Sequence, residues 1–204
     1  MEDIADEARL REIITEPDAA IRDKARDRVD PVTAEFVAAS PFFLLSTTGP
    51  DGVDVSPRGD PPGNVLVLDD GHAIAFADRK GNRKLDSLRN ILHDPHVGML
   101  FLVPGSNDTV RVNGRARIVH RPEFADRLTV EGATPELAIV VEIDELYLHC
   151  AKAFLRSSLW KHETWPARGE VPSAGKLVKG QYGLPGPAKL IDAALNRDAK
   201  VNRY

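Results

Sequence analysis

Residues 41–78 read PFFLLSTTGPDGVDVSPRGDPPGNVLVLDDGHAIAFAD. Phe42 to Thr48 is rich in strand formers, Gly49-Pro50-Asp51-Gly52 is a tight turn, and Val53 to Asp60 returns, which predicts a β-hairpin. The stretch from Asn64 to Asp69, the Asp70-Gly71 turn and the run from His72 to Asp78 predict a second hairpin by the same logic. Further on, HVGMLFLVPG (96–105) is an almost continuous apolar run, as in a strand buried on both faces, and a Gly-Ser-Asn-Asp turn closes it. TVRVNGRARIV (109–119) alternates: Val110, Val112, Ala116 and Ile118 should face the core, while Arg111, Asn113, Arg115 and Arg117 face away. A helix is expected over about 122–131, then a long strand in AIVVEIDELYLHC (138–150), then helical spacing in AKAFLRSSLW (151–160).

Six or seven antiparallel strands in hairpin order expose too many edges to stay open, so the expected fold class is mainly β with flanking helices (α+β), a small closed or split barrel. The absence of βαβ alternation disfavours a doubly wound nucleotide-binding sheet. A chain of 204 residues with 42% hydrophobic content supports one good core with a helical appendage, not two full domains. The expected organisation is an N-terminal helical arm (1–30), the barrel (31–160) and a C-terminal wrap (161–204). The arm is charged throughout and broken at Pro17. A short helix should begin at Asp30-Pro31, place Phe36 and Val37 inward, and end before Ser40-Pro41. The final segment is loaded with Pro and Gly and reads as an ordered tail over the surface, followed by a short helix at 191–199.

The formal charge of −4 argues against a nucleic-acid partner. No run approaches the roughly 20 apolar residues of a membrane span, and the charged N-terminal stretch lacks a signal-type apolar core, so a cytoplasmic protein is expected. Cys150 is the only cysteine, which excludes an internal disulfide. His93 and His96 are separated by Pro95 and lack an acidic third ligand, so no metal site is expected. His149 and Cys150 are adjacent at a strand end and point to opposite faces, which suits packing better than a nucleophile pair. Neither a GxSxG elbow nor a P-loop occurs.

The chemistry concentrates in DRKGNRKLDSLRN (78–90). Gly81 and Asn82 can break the preceding strand, Asn82 can cap a helix, and Arg83 and Lys84 would then fall in its first turn. Cations there oppose the helix dipole, while the free N–H groups attract an anion, so a bound phosphate is the natural compensation. Leu85, Leu88 and Leu92 would form the apolar stripe, with Asp86 and Arg89 facing water. Taken alone, such a charge run is more often a solvated face.

From about Phe36 to Trp160 the sequence resembles the pyridoxamine 5'-phosphate oxidase-like, FMN-binding split-barrel proteins. SPRGD (56–60), GNRKLDSLRNI (81–91), GMLFLVPG (98–105) and TVRVNGRA (109–116) carry the resemblance through their order and spacing. It implies an antiparallel FMN-binding split β-barrel, a homodimer with FMN at its interface, and an FMN-dependent oxidoreductase acting on a small molecule. The alternative within it is a binder of flavin, haem or deazaflavin without turnover. By resemblance Arg83 and Lys84 match the phosphate-holding pair, with Asn82 beside them. Arg58, after Ser56, stands where an arginine from an earlier strand is expected. Thr109 and Arg111 would reach the flavin, Asp78 and Arg79 would lie near its ribityl chain or ring edge, and Arg156, Ser157 and Trp160 would approach from the partner subunit. Arg156 and Trp160, at i and i+4, should share a helical face. The chain departs from the vitamin B6 oxidase at its end, where Trp165, Pro166 and Arg168 are spaced too loosely to match the substrate-gripping motif. No catalytic acid or base stands out.

Overall fold

In the computed structural model, residues 3–167 and 169–204 are described. Among them one sheet contains β1 (Phe42–Gly49), β2 (Gly52–Gly59), β3 (Val65–Leu68), β4 (Ala73–Ala77), β5 (His96–Leu102), β6 (Thr109–His120) and β7 (Leu137–His149). Their order is β2-β1-β5-β6-β7-β4-β3, and every neighbouring pair is antiparallel. Both predicted hairpins form, and the expected mainly β class with flanking helices is what the chain adopts.

The sheet curls back on itself. Phe43 of β1 meets Phe76 of β4 edge-to-face with ring centroids 4.9 Å apart, although three strands lie between β1 and β4 in the sheet order. Phe101 of β5 is 5.0 Å from Phe43 on the other side. Around these rings the inward residues of β1, β5, β6 and β7, including Leu45, Met99, Val112 and Ile139, are buried together. β6 keeps its predicted alternation. β7 carries a bulge opposite Asn113 and Gly114, so its inward set shifts from Ile139, Val141 and Ile143 to Leu146. Gly114 is required there, because a Cβ would sit 2.0 Å from the Glu142 carbonyl oxygen.

β4 is buried on both faces. Ile74 and Phe76 point into the barrel, while Ala73, Ala75 and Ala77 lie against a second apolar layer containing Leu128 and Phe124. β5 is not two-sided as its sequence suggested: Val97, Met99 and Phe101 are buried, but Gly98, Leu100 and Leu102 are half-exposed. The helix expected over 122–131 is only a 3-10 turn, Ala125–Leu128.

Helices close the ends. α1 (Glu7–Ile13) and α2 (Ala19–Arg22) flank Pro17 and bury none of their residues. α3 (Pro31–Ala39) starts where Asp30 accepts from the N–H groups of Val32 and Thr33, and it buries Val37. α4 is Asp86–His93 and α5 is Lys152–Ser157. The C-terminal segment is more helical than its Pro and Gly content implied: α6 (Ala174–Tyr182) and α7 (Ala188–Val201) pair as a hairpin, with Ser173 and the Gly175 N–H both donating to Asp192. No helix of the described residues is long and apolar enough to cross a membrane.

Candidate functional site

The loop before α4 corrects the sequence reading. The helix begins at Asp86, so Arg83 and Lys84 precede the first turn and do not lie in it. Asn82 caps a local turn, its side-chain oxygen accepting from the Lys84 N–H at 2.9 Å. Arg83 and Leu85 both take left-handed backbone angles, with φ of 64° and 62°, a conformation that costs a non-glycine residue about 1–3 kcal/mol and is typical of functional loops. Leu85, at the N-cap, supplies no side-chain acceptor, so the first-turn N–H groups stay open and anion-attracting. The apolar stripe is also different: Leu88 and Ile91 are buried, whereas Leu85 and Leu92 are exposed. Asn90 donates to Thr47 and docks the helix on β1.

That docking brings Ser87, buried at the start of α4, against Ser56 of β2, with hydroxyl oxygens 3.1 Å apart. Arg58, two residues along β2 on the same face, donates from Nε to the Ser56 hydroxyl at 3.3 Å and from Nη1 to Asp78 at 3.1 Å. Next along, Asp60 accepts twice from Arg79 Nε, at 2.9 and 3.1 Å, and Arg79 Nη2 donates to the Leu128 carbonyl at 2.7 Å. β2 and β3 are the two free edges of the sheet, and these two ion pairs of opposite polarity tie β2 to the end of β4 across the split. Both pairs are mostly buried, with side chains 14–20% exposed.

A cavity of about 640 Å³ opens at the split. Its apolar lining includes Phe43, Val65 and Phe76, and its polar lining includes Arg58, Arg79 and Lys80. Cofactor sites commonly span about 300–1,000 Å³ and combine apolar walls with a few convergent polar groups. Arg58 belongs both to the cavity and to the serine cluster, so one guanidinium joins an anion-attracting helix start to an apolar chamber. Among the described residues Arg83 has no hydrogen-bond or ion-pair partner. Lys84 pairs with Asp86 at 2.8 Å, and that contact raises its pKa.

The remaining predicted residues lie elsewhere. Strand register places Arg58, Phe43, Phe101 and Val110 in one inward row, so Thr109 and Arg111 belong to the opposite face. Thr109 is buried there. Arg111 donates to Glu145 at 2.8 Å and lies 4.3 Å from the Tyr147 ring centroid, with Lys24 4.2 Å from the same ring. His149 adjoins this cluster, and burial, then Arg111 and Lys24, lower its pKa. Arg156 and Ser157 are exposed at the end of α5, and Ser158 turns left-handed, so Trp160 is not on a shared helical face with Arg156. Trp160 instead stacks on Phe154 and donates to the Ser106 carbonyl. Arg168 lies outside the described residues. Sequence reasoning passed over Ser87 and Asp60; the signal for Ser87 was a small polar residue four positions before Ile91, on the helix's buried face.

The family model described as pyridoxamine 5'-phosphate oxidase matches residues 29–150, from the strand-entry segment to the end of β7 and more than half of the chain. The chain belongs to the pyridoxamine 5'-phosphate oxidase family. The fold of that family is a flavin-binding split barrel, which accounts for the unpaired edges of β2 and β3. No curated protein matches the sequence. Similar solved structures include HupZ of group A Streptococcus, at 10% identity over 59% of this chain and 93% of that chain with a TM-score of 0.47. An F420 reductase is 23% identical over 58% and 98%, TM-score 0.41. General stress protein 26 of Bacillus anthracis is 17% identical over 55% and 87%, TM-score 0.37.

Proposed function

We propose that this oxidase-family chain binds FMN and works as a homodimeric oxidoreductase on a small molecule. The observation that carries the reading is the junction at Arg58, where the Ser56 and Ser87 hydroxyls at the uncapped start of α4 meet a guanidinium that lines a chamber large enough for a cofactor, with the cations Arg83 and Lys84 in the loop just before that helix. An FMN phosphate carries close to two negative charges. Arginine offers it a planar fork and lysine a point charge. The apolar walls at Phe43, Val65 and Phe76 suit an aromatic ring system. These residues fit the group, and when bound it supplies the redox chemistry while the chain positions it and excludes water.

Thr109 and Arg111 stand on the face opposite Arg58, so a single flavin meets both sets only if a second copy brings its own outer face to the split. The edge strand β2 favours such a contact, with Val53 73% and Val55 56% exposed.

Purified protein should show flavin absorbance or bind added FMN with a rise in melting temperature. Arg58→Ala, and separately the Arg83→Ala/Lys84→Ala pair, should weaken FMN binding about tenfold or more, because each removes charge-assisted contacts to phosphate. Reduction of the bound flavin by a nicotinamide donor separates an oxidoreductase from a binder without turnover; the same titration with haem and a deazaflavin tests the other ligands. Colourless protein that gains no stability from FMN refutes the reading.

A further inference from the structure

The α6–α7 hairpin is well tied within itself and weakly tied to the barrel. Besides the Asp192 contacts, Lys179 donates to the Gly186 carbonyl at 2.8 Å, yet α7 buries none of its residues and α6 buries only Gly175. At the end of α7 the side chain of Asn202 donates to Asp198 and ends the helix. The two residues that follow, Arg203 and Tyr204, line the 640 Å³ cavity. The Tyr204 ring centroid is 5.5 Å from the Arg79 guanidinium. Arg79 cannot swing away, because Asp60 and the Leu128 carbonyl hold three of its donor contacts.

The cavity is therefore bounded by two bodies: the rigid barrel, contributing Phe43 and Phe76, and a hairpin whose aromatic tip rests on a fixed cation. The volume remains open with Tyr204 in place, so the ring is a wall of the chamber and does not fill it. Aromatic groups on both bodies suit a flat ligand between them. We propose that Tyr204 is a ligand-contacting residue, closing the chamber against the planar ring of the bound flavin, with Arg79 as the rest that orients it. This rests on the flavin reading of the cavity. A hairpin that buries so little against the barrel can lift to admit the ligand and settle once it is bound.

The test uses the full chain as wild type, Tyr204→Ala and Tyr204→Phe, with FMN titrated by fluorescence and its release followed after dilution. An aromatic pair contributes enough that Tyr204→Ala should raise Kd about two- to tenfold, through faster release. Tyr204→Phe should keep the affinity. A phenol in contact with an excited flavin quenches it by electron transfer and a phenyl ring does not, so bound FMN should fluoresce more brightly in both variants than in the wild type. Wild type that binds FMN, with Kd and brightness unchanged in both variants, overturns this inference and leaves the cofactor reading intact. Wild type that fails to bind FMN removes both. The phenylalanine variant keeps the test decisive should the alanine variant fold poorly.

Discussion

Asp78→Ala cuts one of the two ties across the split and has opposite consequences for stability and binding. The Arg58–Asp78 contact is a charge-assisted hydrogen bond of 3.1 Å between side chains 20% and 18% exposed. Contacts of that kind contribute about 1.5–3 kcal/mol, and residual solvent screening points to the lower half of that range. Arg58 keeps its bond to Ser56, so it is not left wholly unpaired. The expected loss is about 1.5–2 kcal/mol, which in a chain of this size corresponds to a fall of about 3–8 °C in melting temperature. The same change removes a carboxylate beside the proposed phosphate site and frees Nη1 of Arg58, so inorganic phosphate and FMN should both bind more tightly. Urea denaturation of ligand-free protein gives the first quantity, because bound ligand would mask it by mass action. Isothermal titration gives the second. Unchanged stability together with weaker anion binding would refute both the tie across the split and the role given to Arg58.

Gly114→Val should be among the most damaging single changes in the barrel, costing more than about 2 kcal/mol in urea denaturation, since even a methyl group would collide with the Glu142 carbonyl at the bulge. The depressed pKa of His149 sets a pH dependence: its contribution is complete above the ordinary histidine value of about 6.5 and is lost as pH falls below it, because the unfolded chain takes up the proton more readily. His149→Gln should accordingly flatten the fall in stability as pH drops below about 6.5, and an unaltered profile would contradict the assignment.

The strand framework was legible because hairpin turns and alternation are local signals: the 42–59 and 65–77 hairpins and the phase of β6 can be read residue by residue. The bulge in β7 was not legible, since it depends on what Gly114 meets across the ladder. The start of α4 was misread by three residues because Asn82 has the same chemistry at a turn as at a helix cap, and only the backbone angles of Arg83 and Leu85 distinguish the two. β5 read as two-sided because its outer residues are apolar, yet an apolar residue need not be covered within its own chain. Pro and Gly density hid α6 and the first turn of α7, whose pairing is fixed by Asp192 from seventeen residues away along the chain. Arg58, Asp78 and Arg79 could be named from sequence, but not that Asp78 and Asp60 hold the two arginines in crossed pairs.

The alanines of β4 have a reach well past their size. Ala73, Ala75 and Ala77 are small enough for the segment bearing Leu128 to settle close to the strand, and the carbonyl of that same residue steadies Arg79. A bulkier residue at any of the three would push this outer layer outward and loosen the arginine from behind, far from the chamber it serves. Added bulk at those three positions would therefore weigh on the barrel's stability and, through Leu128 and Arg79, on the wall of the cavity at the same time.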